Sequence, residues 1–312
     1  MIALVGGAGY IGSQLSSVMV KMNIDHIVID DLSSGRREFL DNRVNFTKIS
    51  VLNTKELTEC FIDRKVTLVV HLAALKSVEA SVSNGDDFYK VNTLGTSSLL
   101  KAVRSAGISD LIFSSTAAVY GVNLSGGELK ENHLLEPISP YGDSKKQAEE
   151  LIVDASKEWG LKFVVFRYFN VAGKLLPIHY PSEQMSLLPI IQRSVENRSL
   201  FTIFGNDYKT KDGTCTRDFI HISDLISAKL KAIEHLQMGG SSEVLNLGSG
   251  TKTTILDVVK IFEMECGGSV QYSYGPRRQG DPEFSLADIS KSKKIPRWEP
   301  MLSINEIIRD YV

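Results

Sequence analysis

Along the first half of the chain, short runs of aliphatic and β-branched residues alternate with longer stretches whose apolar positions recur at a helical period. The runs are Ile2-Ala3-Leu4-Val5, His26-Ile27-Val28-Ile29, Leu68-Val69-Val70-His71, Leu111-Ile112-Phe113 and Phe163-Val164-Val165-Phe166. This alternation predicts βαβ units and a parallel sheet covered on both faces. Between the last two runs a helix is expected from Pro140, where the first N–H groups lack intrahelical partners anyway, to about Trp159, with Gly160 as its stop. After Asn170 the rhythm breaks: residues 171 to 186 mix Gly, Pro, His and Ser without a period. The expected organisation is a domain over 1–170, a smaller lobe over 171–312, and a segment over 218–248 that returns to the first domain. In that segment Ile220-His221-Ile222 and Val244-Leu245-Asn246-Leu247 flank a helix from Ser223 to about Leu236, and a last amphipathic helix covers about Ser303 to Tyr311. The fold class is α/β, a doubly wound parallel sheet with a smaller C-terminal α/β lobe.

Composition narrows the function classes. The 312 residues are 43% hydrophobic, with 35 Lys+Arg against 37 Asp+Glu and a formal net charge of −2, the profile of a soluble globular protein. Such a balance offers no long-range field for nucleic acid or an anionic membrane, so neither is expected as a partner, and a phosphate-bearing ligand must be held locally. The longest nearly apolar run, Val66 to Leu75, is about half of what a bilayer-spanning helix requires. Residues 2 to 5 lead straight into glycines, leaving no room for a secretory signal. Cys60, Cys215 and Cys266 are widely spaced and odd in number, which predicts neither a metal site nor a disulfide framework and suits a reducing cytoplasm.

Ile2 to Val5 runs into Gly6-Gly7-Ala8-Gly9-Tyr10-Ile11-Gly12, a Gly-x-x-Gly-x-x-Gly spacing followed by a helical stretch from Ser13 to Met22. Glycines there permit the turn and let backbone N–H groups approach a pyrophosphate, while the helix presents its positive end to the same charge. Asp30 ends the second strand, where a carboxylate accepts hydrogen bonds from adenosine ribose hydroxyls and repels a 2′-phosphate, so NAD is favoured over NADP. Spacing alone leaves the neighbouring Asp31 as an alternative.

Tyr141 and Lys145 stand four residues apart on the expected helix and share one face. A lysine ammonium, together with a cationic nicotinamide, favours phenolate, which makes Tyr141 a candidate general base for an alcohol proton. Phe113-Ser114-Ser115-Thr116 ends a parallel strand, where open α/β sheets gather ligand groups, and the Thr116 hydroxyl is suited to bond the same reacting oxygen. The glycine fingerprint, this hydroxyl cluster and Ser139-Pro140-Tyr141-Gly142-Asp143-Ser144-Lys145 together resemble an extended short-chain dehydrogenase/reductase, whose NAD-binding domain is Rossmann-type.

Arg167-Tyr168-Phe169-Asn170 and the block from Gly205 to His221, with Thr216-Arg217-Asp218-Phe219-Ile220-His221 at its end, are similar to the UDP-glucose/UDP-galactose 4-epimerase family. Further likeness at Leu75-Lys76, Asn92, Asn246-Leu247-Gly248 and Pro276-Arg277-Arg278-Gln279-Gly280-Asp281 extends the resemblance over about residues 1 to 305. It implies NAD held by Gly6, Gly9, Tyr10, Ile11, Gly12, Asp30, Lys76, Asn92, Tyr141, Lys145 and Tyr168. Thr116, Tyr141 and Lys145 are the implied catalytic set, and Thr116, Tyr141, Asn170, Arg217, Arg278, Asp281 and Ser285 the residues that meet a UDP-sugar. The implied reaction is inversion at C4 through a 4-keto sugar, with no net redox change. A homodimer through residues around Asn92 to Ala106 and Ser144 to Lys157 is implied as well.

Rival readings are another UDP-sugar enzyme of this group (a glucuronate 4-epimerase, decarboxylase or dehydratase) and a non-catalytic NAD-binding regulatory protein. Dehydratases carry an Asp-Glu pair directly after the strand-end threonine, and decarboxylases usually a carboxylate at the second position; Ala117 and Ala118 stand there instead. Departures from the resembled pattern are Val5, Ser50 and Ser186, together with a short segment from Val171 to Pro189. At Ser285 a bulky tyrosine is usual in members limited to plain hexoses, so a small residue implies room for a 2-acetamido group and acceptance of UDP-GlcNAc and UDP-GalNAc.

Overall fold

The computed structural model describes residues 1–122, 127–178, 180–183, 185–278, 282–294 and 297–312. Strands β1 (Ile2–Val5), β2 (His26–Ile29), β3 (Asn45–Thr47), β4 (Leu68–His71), β5 (Asp110–Thr116) and β6 (Lys162–Tyr168) form the body of a seven-stranded sheet. The remaining strands are β7 (Asn170–Ala172), β8 (Phe201–Phe204), β9 (Thr216–Arg217), β10 (Phe219–His221), β11 (Glu243–Leu247), β12 (Thr253–Thr254), β13 (Tyr272–Gly275) and β14 (Phe284–Ser285). Spatial order in the large sheet is β11-β6-β5-β4-β1-β2-β3, and the registers of β1 with β2 and β4, of β2 with β3, and of β4 with β5 are parallel. β1, β2 and β4 are buried along their whole length, as a sheet covered on both faces requires.

The chain divides into two compact units, each of three segments: Met1–Val119, Leu135–Arg167 and Lys229–Leu245 in the first, and Tyr120–Leu134, Tyr168–Ala228 and Asn246–Val312 in the second. In the first unit, Val5, Ile29, Val69 and Leu111 from the strands pack with Leu99 and Val103 of the helix Gly95–Ser105 and Ile152 of the helix Pro140–Trp159. The expected bounds Pro140 and Trp159 are the observed ones: the Ser139 side chain accepts the Gly142 N–H, Pro140 opens the first turn, and Gly160 closes the helix with φ of 81°.

The second unit has its own core, in which Ile191, Phe219, Val258, Phe262 and Ile307 are buried together. The expected returning segment is β10, the helix Ile222–Gln237 and β11, of which Lys229–Leu245 belong to the first unit. The sequence analysis did not anticipate that Tyr120–Leu134 joins the second unit. Contacts remote in sequence hold it there: Leu129 N–H donates to the Leu286 carbonyl (2.8 Å), Asn246 Nδ2 donates to the Leu129 carbonyl (2.8 Å), and the Tyr120 hydroxyl donates to Asn246 Oδ1 (2.7 Å). None of these partners carries a local periodic signal.

Beneath the Pro140–Trp159 helix lies a buried ion pair. Arg167 Nη2 and Nε meet the Glu149 carboxylate at 2.7 and 3.1 Å, with side chains 5% and 6% exposed, and the Ser115 hydroxyl donates to the same carboxylate. Removing one partner strands a buried charge, which costs far more than the pair itself contributes. Arg167→Leu is therefore expected to lower unfolding free energy by about 3–5 kcal/mol. Urea denaturation checks this, the midpoint falling with little change in slope.

Candidate active site

The glycine turn is tied between neighbouring strands: Gly6 N–H donates to the Ile29 carbonyl (2.7 Å), and Leu72 and Ala73 N–H both donate to the Val5 carbonyl. Gly6 has φ of 81°, and a Cβ there would lie 2.2 Å from the Ala73 backbone nitrogen, so only glycine lets the turn close against the loop after β4. Gly12 stands on the backbone of Gly7. Gly9 differs: it is the N-cap of the helix Tyr10–Lys21, no side chain caps that helix, its first turn carries no acid, and a Cβ on Gly9 would meet nothing nearer than 3.9 Å. An uncapped helix end above open space is a cradle for an anion, and it fits a dinucleotide pyrophosphate.

Asp30 and Asp31, equivalent in sequence, part company in the structure. Asp30 is buried, and its two oxygens accept the N–H groups of Ala8 (2.9 Å) and Leu32 (2.8 Å), so it braces the glycine turn itself; burial raises its pKa above the usual carboxylate value. Asp31 is part-exposed and accepts from Ser33 (2.9 Å) and Ser50; although burial opposes it, these bonds and Lys48 hold its carboxyl below the usual range. Ser50, a departure in the sequence, is thus spent on Asp31. Lys76 lies 5.7 Å over the Tyr10 ring. Asn92 sits in a π-helical turn, Tyr89–Leu94, and is buried, its carboxamide spanning Leu75 N (2.9 Å), Leu75 O (3.1 Å) and Ser144 Oγ (3.0 Å). It joins the loop after β4 to the helix that bears Tyr141. Ile11 lies on the Tyr10–Lys21 helix, and Tyr168 is buried at the end of β6 in the second unit.

Thr116, Tyr141 and Lys145 come together in the first unit. Thr116 ends β5, its Oγ1 accepts the Ala118 N–H at 3.2 Å, and its side chain hydrogen-bonds the Tyr141 hydroxyl. Gly142 makes this possible, since a Cβ there would fall 2.5 Å from the Ala118 carbonyl oxygen. Lys145 is 3% exposed; its Nζ donates to the Ser114 carbonyl at 2.8 Å and lies 4.6 Å over the Phe113 ring. Burial pulls the Lys145 amine down to about 7 from its ordinary 10.5, with the nearby Glu149 opposing. Burial also raises the Tyr141 phenol, and only the Thr116 bond opposes that. The Tyr141–Lys145 spacing predicts a lysine that favours phenolate; in the structure desolvation outweighs it.

In the second unit a cavity of about 430 Å³ is lined by Asn170, Arg217, Arg278, Phe204 and Leu187 among others. Arg217 Nη1 donates to the carbonyls of Thr216 and Pro282, both at 2.8 Å, and the Arg278 guanidinium stacks 4.1 Å over Phe204. Two guanidinium groups beside aromatic and aliphatic walls suit a diphosphate joined to a planar base. Ser285 pairs with Arg217 in the parallel register of β14 and β9. Asp281, expected beside the uridine ribose, lies outside the described residues. Sequence reasoning missed the cavity's apolar wall, and it missed Asp218, whose buried carboxylate accepts Ser249 N (2.6 Å) and Oγ (2.8 Å), Gly250 N (3.0 Å) and Ala287 N (3.1 Å). Burial raises that carboxyl to about 6 against those bonds. Among the described residues no cluster of His, Cys, Asp and Glu could hold a metal ion, and no helix is long and apolar enough to cross a membrane.

Comparison with known proteins agrees with this geometry. Residues 2–248 match the model of the NAD dependent epimerase/dehydratase family. A UDP-glucose 4-epimerase of Rhizobium leguminosarum bv. trifolii is 37% identical over 313 residues, covering 99% of this chain and 95% of that one. A crystal structure of UDP-glucose-4-epimerase from Stenotrophomonas maltophila, with bound NAD and formylated UDP-arabinopyranose, superposes with a TM-score of 0.93 at 29% identity, over 99% of this chain and 96% of that one. The UDP-Glc/GlcNAc 4-epimerase of Campylobacter jejuni gives a TM-score of 0.87 at 33% identity, over 99% and 97%. A strand-end threonine bonded to a helix tyrosine, a buried lysine one turn on and a glycine cradle are thus found in a chain that belongs to the NAD-dependent epimerase/dehydratase family.

Proposed function

We propose that the protein inverts C4 of UDP-hexoses, interconverting UDP-glucose and UDP-galactose, with NAD as its resident cofactor. The observation that carries this reading is the set Thr116, Tyr141 and Lys145, with the Tyr141 hydroxyl bonded to Thr116 and the Lys145 ammonium buried on the Ser114 carbonyl one helical turn away. Bound NAD supplies the hydride acceptor and donor, and its oxidised ring adds a positive charge. Tyr141 takes the proton of the sugar 4-hydroxyl and later returns it. Thr116 bonds the same oxygen, and the Lys145 ammonium favours the phenolate. Burial holds the phenol above its usual pKa, and an added positive charge opposes that rise. This ties proton removal to an occupied site.

Gly6, Gly9, Gly12 and Asp30 hold the cofactor in this reading, with Tyr10, Ile11, Lys76, Asn92 and Tyr168 beside it. Arg217, Arg278 and Asn170 hold the UDP-sugar through its diphosphate, and Asp281 the uridine ribose. An anchored diphosphate retains the 4-keto sugar between the two hydride transfers. The reading extends to UDP-GlcNAc and UDP-GalNAc, because Ser285 puts a small side chain beside Arg217, and the Campylobacter jejuni enzyme is named for both sugar types. It also takes the chain as a cytoplasmic homodimer pairing through residues 92–106 and 144–157. The 59% exposure of the apolar Leu94 supports the pairing.

Tyr141→Phe removes the proton acceptor while keeping the ring, so kcat on UDP-galactose should fall by about 10²–10⁴. Chromatography of UDP-glucose formed without added oxidant or reductant is the check, and wild-type turnover would remove Tyr141 from the mechanism. Ser285→Tyr should lower the ratio of UDP-GalNAc to UDP-galactose turnover by about tenfold or more. An unchanged ratio would mean that this position does not set the substrate range.

A further inference from the structure

Lys229, on the helix Ile222–Gln237, is 0% exposed, and its Nζ donates to Ser114 Oγ at 3.1 Å. The carbonyl of the same Ser114 receives Lys145. Aromatic rings complete the compartment: Phe113 lies under Lys145 at 4.6 Å and Phe166 near Lys229 at 5.8 Å, while His71 packs on Phe113 with centroids 5.3 Å apart. His71 Nε2 meets Thr96 Oγ1 at 3.0 Å, and since that hydroxyl donates to the Asn92 carbonyl, Nε2 carries the ring proton. Its Nδ1 is buried with no hydrogen-bond partner among the described residues. Among the titratable groups coupled to Lys229 are Lys145 from the Pro140–Trp159 helix and His71 from β4. Glu149 acts on Lys145 but is already paired with Arg167 and bonded by Ser115. Two amines share one serine, and the carboxylate in reach is largely spent.

We propose that Lys229 is a positioning residue for the catalytic pair, its amine repelling a proton on Lys145 through their common Ser114 and so setting the pH at which Lys145 is an ammonium. Burial, with Lys145 acting in the same direction, brings Lys229 to about 7, as burial brings Lys145; His71 is held well below its usual value by burial first and by the two amines after it. Near neutrality the pair therefore holds fewer than two protons. The proposal rests on the reading of Tyr141 and Lys145 as the catalytic pair.

Lys229→Met keeps the length of the side chain and deletes the charge. Lys145 then retains its proton to higher pH, so the alkaline limb of the kcat profile on UDP-galactose should move up by about one pH unit, with KM unchanged. Lys229→Arg keeps a charge and should hold that limb at or below its wild-type position. A limb unmoved by Lys229→Met overturns the proposal.

Stability supplies a reading without turnover. The folded pKa of Lys229 lies below its unfolded 10.5, so burial destabilises fully below about 7, and the penalty fades as pH rises toward 10.5. Lys229→Met should raise the denaturation midpoint most at about pH 6, the gap closing toward about pH 10. A variant less stable than wild type at the lower pH would show the amine to be structural and overturn the proposal. An active Tyr141→Phe protein would sink the catalytic reading beneath it, whereas an inactive one with an unmoved Lys229→Met profile sinks only the role of Lys229.

Discussion

Where the helix Pro140–Trp159 begins beside the end of β5, backbone meets backbone, because Gly142 has no side chain to hold the Ala118 carbonyl away. One turn further on, this approach carries Lys145 into the interior, and one residue earlier it sets the Tyr141 hydroxyl against Thr116. Burying an ammonium costs several kcal/mol unless its hydrogen bonds are met. Here the Ser114 carbonyl, the Phe113 face and the Glu149 field offset the cost without cancelling it, as the lowered pKa records. A buried lysine with its proton held loosely follows from a close approach of two pieces of main chain.

The second unit solves the mirror-image problem with an anion. Asp218 has four hydrogen bonds from Ser249, Gly250 and Ala287 and no cation among the partners that shape its pKa. These neutral donors hold the carboxylate, and they draw β10, the loop at 249–250 and the segment after β14 to one point. Arg217, its neighbour in sequence, spends one nitrogen on two carbonyls, an arrangement that fixes the direction of the guanidinium within the cavity wall.

Much of this was legible in the sequence, and the boundary between what was and was not is physical. β1, β2 and β4 match the apolar runs because a strand buried on both faces has to be apolar throughout. The Pro140–Trp159 helix was readable at both ends because a first-turn proline and a terminal glycine are local signals. The glycine turn and the Tyr141–Lys145 spacing were readable for the same reason. Lys229, Asp218 and the excursion of Tyr120–Leu134 were not, since each is defined by partners more than thirty residues away. A lysine in an amphipathic helix reads as a solvated face; only tertiary packing turns it inward. Spacing also left Asp30 and Asp31 equal, and the difference lies in which backbone N–H groups the fold points at each.

The two units alternate along the chain, three segments each, and four of the five passages fall inside continuous elements: the short helical turn Ala117–Tyr120, strand β6, the helix Ile222–Gln237 and strand β11. Neither unit is a contiguous stretch of gene. During synthesis the large sheet keeps an open edge beside β6 until residues 243–247 have left the ribosome, when most of the chain is already made. An unpaired edge of that kind invites pairing with another nascent chain. A single recombination crossover has no position at which it could exchange one unit intact.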